Sequence, residues 1–334
     1  MFDRIPLNDQ PLLLVIIVNY RVPNLTIDCL HSLAIEVQAL SGAKVIVVDN
    51  DSGDRSIEQI QVAIDQNGWR NWVSLLPSNH NGGYSFGNNL AIRPALQSPH
   101  PPSYFFILNP DTQVRDGALK TLVDFMEQHP NVGIAGPSLE SNQGKLWPIA
   151  FRFPTVMSEL DSGLRLGIVT KLLSDWIVPR KMTNKECQVD WIPGTSILVR
   201  REVFESVGLM DEGYFLFYEE TDLCLQAKRL GWSCWYVPQA RIMSIGGQSR
   251  KKANTGNSKR KPQYWFESRR RYFLKNHSLL YAALADAAWI SGFILWRIRR
   301  VIQGKPDKDP PHFLSDFIRN SVFLKGRSKP KLKQ

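Results

Sequence analysis

Residues 44–53 read Lys-Val-Ile-Val-Val-Asp-Asn-Asp-Ser-Gly: four β-branched apolar residues in a row, then a carboxylate and a turn. An unbroken apolar run is what a strand covered on both faces shows. A carboxylate just past the carboxyl end of such a strand lies where open α/β sheets bind ligands. Upstream, Leu12–Val18 has the same character and ends in Asn19-Tyr20-Arg21. Between the two, Leu25, Cys29, Leu30, Leu33 and Val37 recur at helical spacing. Downstream, Val73–Leu76, Tyr104–Leu108 and Val132–Ala135 read as further strands, with a helix stripe at Leu119, Leu122, Val123 and Met126. Strands alternating with helices predict an α/β fold, a mostly parallel central sheet flanked by helices. The polar clusters at Asn19, Asp49 and Asp111 then fall at strand ends.

The remaining stretches are less regular. Asn79–Asn89 reads as a Gly-rich loop and residues 140–190 as an irregular insertion near the substrate. A compact segment resumes at Asp190–Arg200, followed by a helix from Glu219 to Leu230 and a strand over Ser233–Val237. Beyond Gly246-Gly247, Arg250–Pro262 reads as a basic loop.

At 334 residues and 43% hydrophobic, the chain has enough apolar mass for a full core and is not a disordered sequence. Cys29, Cys187, Cys224 and Cys234 are scattered without C-x-x-C spacing, which fits a reducing compartment and excludes a disulfide framework or a cysteine zinc site. The charge is asymmetric. From residue 241 onward there are 22 Lys and Arg against 5 Asp and Glu, a balance of +17, so the first 240 residues carry −7. That density points to an anionic partner. Leu12–Val18 comes after an acidic, polar start and has no cleavage pattern, so it reads as a strand and not as a secretory signal. Leu279–Trp296, interrupted by Asp286, falls short of the roughly 20 apolar residues a spanning helix needs.

Three clusters carry chemistry. Asp49 could read a base or ribose edge, as in dinucleotide folds, or simply cap a turn. The loop Asn19–Thr26 lacks G-x-G-x-x-G, which removes the dehydrogenase alternative, and no Walker lysine loop is present. Asn109-Pro110-Asp111-Thr112 places one carboxylate directly after a strand, enough for a hard divalent cation that keeps phosphate and water as its other ligands. Glu219-Glu220-Thr221-Asp222 comes after the aromatic run Tyr214–Tyr218. Carboxylates against apolar surface gain basicity, and an acidic first turn also suits a helix dipole.

The order of these clusters resembles family 2 of the inverting glycosyltransferases, the GT-A fold, and especially its rhamnosyltransferase-like branch. The stretches that carry the likeness are Val18–Tyr20, Val47–Ser52, Asn81–Asn89, Leu108–Thr112, Gly194–Arg201 and Tyr218–Cys224, spread over about residues 12–250. The resemblance implies a Rossmann-like GT-A domain over residues 1–250. Its nucleotide-sugar half would span about 1–136 and its acceptor half about 137–250, with a helical, basic, membrane-associating extension over 251–334.

The resemblance also implies roles. Asn19, Tyr20, Asp49 and Asn50 would hold the nucleoside, with Gly82, Gly83, Asn88, Asn89 and Asn109 along the nucleotide-sugar. Asp111 would bind Mg2+ or Mn2+. Glu220 would be the general base, with Glu219 and Asp222 beside it, and Trp191, Gly194 and Thr195 would shape the acceptor side. The family often carries a metal-ligating histidine where this chain has Ser244, so metal binding would rest on Asp111 and phosphate. The implied reaction moves a rhamnose-like deoxyhexose from a dTDP- or UDP-linked donor to a glycan or lipid-linked acceptor in cell-surface polysaccharide synthesis. The competing reading is a nucleotide-sugar-binding protein without turnover. In the tail, Arg269-Arg270-Arg271, with Trp289 and Trp296, fits peripheral attachment at the cytoplasmic face of an anionic membrane. No nucleic-acid-binding fold accompanies the charge.

Overall fold

The computed structural model describes residues 12–245 and 260–327. The two decisive runs become fully or almost fully buried strands, β1 (Leu13–Asn19) and β2 (Ala43–Asp49), paired in parallel. α1 (Pro23–Ala39) connects them and buries Cys29, Leu30 and Leu33, three members of the expected stripe. α2 (Ser56–Gln66) leads to β3 (Val73–Pro77), α3 (Tyr84–Leu96) and β4 (Tyr104–Leu108). After β5 (Thr112–Val114) come α4 (Ala118–Gln128) and β6 (Val132–Glu140).

The 140–190 stretch is more ordered than its composition implies. It holds α5 (Val156–Leu164), α6 (Gly167–Leu172) and β7 (Cys187–Val189). Thr155 and Ser158 close a reciprocal capping box at the start of α5, a local signal hidden among the prolines. Next come β8 (Ser196–Arg200), α7 (Arg201–Val207), α8 (Glu219–Arg229) and β9 (Ser233–Ser244).

One nine-stranded sheet runs β3-β2-β1-β4-β8-β6-β9-β5, with β7 added beside β9. It is parallel across β3-β2-β1-β4, where the nucleotide-sugar half was expected, and mixed beyond. The carboxyl ends of β1, β2 and β4 therefore open on one edge.

The expected boundary at residue 250, the Gly246-Gly247 pair and the loop residues up to 259 lie outside the described residues. The extension beyond them is helical, as expected, and it packs against the rest of the fold. α9 (Gln263–Asn276) packs on α8, α10 (Leu279–Ile302) packs on α5, and α11 (Phe313–Asn320) and α12 (Val322–Lys325) pack on α10. The arginine run expected to face lipid is turned inward. Arg269 and Arg270 are 3% and 4% exposed, and Arg271 pairs with Asp211 at 2.7 Å. Arg269 is held between Glu159 (2.7 Å) and Asp286, and Arg270 donates to the Asn320 carbonyl (2.9 Å). Trp289 is buried too, stacked on Phe317. Buried cations need partners, and the acidic residues of this region supply them. Sequence spacing alone does not show that pairing.

α10 runs 24 residues, past the Trp296 limit read from sequence, because Arg297 and Arg299 fold back onto Asp307 and onto the Leu164 and Arg165 carbonyls. By length and composition it is the one helix among the described residues that could cross a membrane.

Candidate active site

At the carboxyl ends of the parallel strands lies a cleft of about 570 Å3. Asn19 and Asp49 set its floor from behind. Asn19 Nδ2 donates to Asp49 Oδ2 (2.6 Å) and its Oδ1 accepts from Thr26 Oγ1 (2.9 Å). Asp49 also accepts from the Ser52 amide (3.0 Å) and hydroxyl (2.7 Å). Both residues are fully buried, so the structure places them one layer behind the wall. Tyr20 and Asn50, next to them in sequence, line the cleft. The left-handed φ of Arg21 (58°) and Asp51 (57°) belongs to these two turns.

Asn50 ties the floor to the Gly-rich segment. Its Nδ2 donates to Asn81 Oδ1 (2.9 Å) and the Gly83 carbonyl (3.1 Å). Gly83 adopts φ 89°, and a Cβ there would stand 2.3 Å from the Phe215 carbonyl oxygen. Glycine is required on both counts. The segment read as a loop through Asn89 is therefore a loop only to Gly83. The next residue starts α3, and the Tyr84 amide donates to Phe215 O (2.8 Å). Asn88 and Asn89 consequently point into the fold, Asn88 to the Tyr84 carbonyl and Asn89 to Met210 and Glu212. Of the two expected glycines, Gly83 lines the cleft and Gly82 packs on Phe86.

The Asn109–Thr112 turn puts Asn109 and Asp111 on the wall, with Asp111 only 3% exposed. β5 pairs antiparallel with β9 so that Thr112 faces Ser244, which lines the same cleft. The position named from sequence as the family's histidine place is thus brought beside Asp111. The donors here are a carboxylate, an amide and a hydroxyl, and no cluster of three His, Cys, Asp or Glu occurs among the described residues. Such hard oxygen donors fit Mg2+ or Mn2+ held chiefly by a diphosphate.

Across the cleft stands the start of α8. Phe217 (φ 73°) and Tyr218 (φ 69°) are consecutive left-handed residues without glycine, a strained arrangement that turns Glu219 and Glu220 inward at the positive end of the helix. Both line the cleft. Glu219 is 3% exposed and its Oε2 has no hydrogen-bond partner among the described residues. Burial, and then the charge of Glu220, push its carboxyl well above the usual carboxylate range. Asp222 lies on the other side of the helix, bonded to Lys275 Nζ (2.5 Å) and Asn276 Nδ2 (2.7 Å), where it fastens α9. The structure therefore separates Asp222 from the two glutamates.

Tyr84 links the two walls. Its hydroxyl donates to the Gly194 carbonyl (2.6 Å), and burial drives its phenol well above its usual value. The charges of Glu219, Glu220 and Asp111 push the same way. These three carboxylates line the same cleft as Tyr84. Trp191, Gly194 and Thr195 complete that side, with Trp191 stacked on Phe151 (4.4 Å) and donating Nε1–H to the Arg152 carbonyl (2.8 Å).

Sequence reasoning missed an aromatic lining: Trp147, Phe151, Phe215, Phe217 and Tyr264. The run Tyr214–Tyr218 was visible, but only as surroundings for carboxylates. Tyr264 gave no signal at all, being more than 40 residues from that run. It opens α9, where its ring approaches Phe215 (5.4 Å) and Phe217 (6.0 Å).

Comparison with known proteins agrees with this geometry. Over 215 residues the chain is 29% identical to N-acetylglucosaminyl-diphospho-decaprenol L-rhamnosyltransferase of Mycobacterium tuberculosis, covering 60% of this chain and 65% of that protein. It is 30% identical over 162 residues to rhamnosyltransferase WbbL of Escherichia coli K12, covering 47% of this chain and 59% of that one. The chain thus spans less than two thirds of the length of either relative, 65% of the first and 59% of the second. Among solved structures, it resembles GalNAc-T7 with UDP, GalNAc and Mn2+ with a TM-score of 0.55 at 13% identity, over 93% of this chain and 55% of that one. It also resembles the mannosyltransferase PcManGT of Pyrobaculum calidifontis in complex with GDP-Man and Mn2+. There the TM-score is 0.51 at 14% identity, over 96% of this chain and 71% of that one. At such identities the likeness is one of fold, GT-A. The cleft at the strand ends and a match over residues 10–271 lead to the same conclusion: the chain belongs to the family described as glycosyltransferase like family 2.

Proposed function

We propose that the protein is an inverting glycosyltransferase that moves a rhamnose-like deoxyhexose from a dTDP- or UDP-linked donor to a hydroxyl of a lipid-linked or glycan acceptor. The work would be part of cell-surface polysaccharide synthesis at the cytoplasmic face of a membrane. The observation that carries this is a single cleft lined by Asp111 from one wall and by Glu219 and Glu220 from the other, with Tyr84 in the same lining. Two relatives named as rhamnosyltransferases support the sugar.

In this reading Tyr20 and Asn50 hold the nucleoside, and Asn109 with Gly83 borders the diphosphate. Asp111 would hold a divalent cation, which would supply Lewis-acid stabilisation of the diphosphate when bound. Glu220 takes the proton of the acceptor hydroxyl as its oxygen bonds to the anomeric carbon and the carbon–diphosphate bond breaks on the opposite face. Inversion follows from that in-line path. The test is incubation with a panel of nucleotide-sugars and acceptors, with product linkage read by NMR. Donor binding without product would leave only the non-catalytic alternative.

Asp111→Asn should weaken metal-dependent donor binding and lower turnover, because it removes the only anionic group of its turn. Titration calorimetry with and without Mn2+ checks it, and activity indifferent to both the substitution and chelator would remove the metal from the scheme. Tyr264→Ala should raise acceptor KM about tenfold and leave donor affinity unchanged, since an aromatic contact is worth about 1 kcal/mol beyond the area it buries. Initial rates at varied acceptor separate the two parameters.

A further inference from the structure

The outward face of α10 is built backwards for a helix in water. Every exposed position along its 24 residues is apolar except Ser291. Leu280, Leu284, Leu295, Ile298, Val301 and Ile302 are each 51–79% exposed. A surface helix ordinarily puts its polar residues outward. Here Asp286 is buried against Arg269, Arg299 bends onto the Leu164 and Arg165 carbonyls, and Arg297 pairs with Asp307 just past the helix. The result is an apolar strip about 36 Å long at 1.5 Å per residue.

Two short helices next to the elements that α10 grips also expose apolar side chains. The Val322 amide donates to Asp286 Oδ2 (2.7 Å), and α12, which starts there, exposes Phe323 and Leu324. Arg299 grips the Leu164 and Arg165 carbonyls just before α6, which exposes Ile168 and Leu172.

We infer that this strip is the surface by which the protein lies on an anionic phospholipid bilayer, inserted to the depth of the headgroups. The inference rests on the membrane-side reading of the proposed function and replaces the buried arginine run as its carrier. Charge selects the occupant. Exposed Lys305 and Lys308 come directly after the strip's end, and exposed Lys325 and Arg327 stand at and just after the end of α12. An apolar face flanked by cations is the pattern of interfacial helices on acidic lipid. A bilayer covers a long strip without a matching shape, whereas a protein partner has to supply one.

The same contacts decide between lying and crossing. Gly292 and Gly163 let α10 and α5 touch backbone to backbone. A Cβ on Gly292 would stand 2.8 Å from Leu164 N, and one on Gly163 2.5 Å from Trp289 O. To cross a membrane the helix would have to abandon this seam and carry Asp286 into hydrocarbon, at a cost of several kcal/mol. It lies along the surface.

The test uses the full chain and vesicles of phosphatidylcholine with about 30 mol% phosphatidylglycerol, which gives the surface a negative potential. Wild type should co-sediment, and the double variant Leu284→Glu with Ile298→Glu should partition at least about tenfold less while melting at the wild-type temperature. If that variant misfolds, a dye on Ser291→Cys replaces it. Cys187→Ser removes the one cysteine that is not buried. Vesicles should shift the dye emission to the blue, and leave unshifted the same dye on Asp65→Cys, an exposed position of α2. Wild type that ignores the vesicles, equal binding by the double variant, or an unshifted Ser291 dye overturns the inference. So does a dimer that vesicles do not dissociate and the glutamates do, since a second copy would then cover the strip. Transfer to a soluble acceptor is assayed alongside. Vesicle binding without transfer sinks only the catalytic reading, and transfer without vesicle binding sinks only the surface.

Discussion

Glu220→Gln loses at least about a hundredfold in turnover, close to 2.7 kcal/mol of transition-state stabilisation, and keeps donor affinity nearly intact. The amide preserves shape but cannot accept the acceptor's proton, so the loss falls on kcat and not on donor binding. Single-turnover rates with donor saturation measured in parallel check it. Glu219→Gln is the matched control. Burial and the Glu220 charge already push the Glu219 carboxyl above the usual range, and glutamine keeps its shape without a charge. Its turnover should stay within a few-fold of wild type. If instead Glu219→Gln is the crippling change and Glu220→Gln is mild, the base is Glu219 and not Glu220.

Arg269→Ala costs about 3–5 kcal/mol of stability, the penalty for leaving buried carboxylates without their cation. The guanidinium is 3% exposed, bonds Glu159 through Nε (3.0 Å) and Nη2 (2.7 Å), and reaches Asp286 through Nη1. It also sits over the rings of Phe273 (4.8 Å) and Phe317 (4.6 Å). Removing it loosens α5, α9, α10 and α11 together.

The pH dependence identifies the cause. Burial raises the Glu159 carboxyl above its ordinary 4.5, and Arg269 is the group that holds it down. Without Arg269 the folded-state value climbs further. A group raised on folding contributes stability that is fully present below its unfolded value and lost as pH rises through its folded value. The variant's deficit should therefore be largest near pH 7 and shrink toward pH 4.5. Denaturant melts at both pH values measure it. A deficit that does not change with pH would assign the loss to packing of the two phenylalanines instead.

The legible part of this protein was local. Lys44–Val48 and Leu12–Val18 announce buried strands because burial on both faces removes polar alternation, and chain order then places Asp49 and Asn109–Asp111 at strand ends. Glu219 and Glu220 were visible as an acidic helix start. The division within these clusters was not visible. Asn19 and Asp49 are used up on each other and on Ser52, Asn88 and Asn89 turn into the fold, and Asp222 faces Lys275 and Asn276. Which side of a turn a polar side chain takes depends on partners that are distant in sequence.

By itself, then, the sequence determined an α/β sheet and put Asn50, Asp111 and Glu220 where a cleft forms, because strand burial and helix-start charge are written in consecutive residues. Only the tertiary structure decided what the C-terminal quarter does. Its composition says basic and aromatic, and that suits a lipid surface through Arg269–Arg271. The fold puts those arginines inside, since acids from α5, α10 and the segment before α8 meet them there and a paired buried cation is far cheaper than a bare one. It sends Tyr264 into the cleft and leaves the leucines and isoleucines of α10 facing out. Periodicity reveals that a helix has faces, but which face meets the core is settled by the neighbours that pack against it.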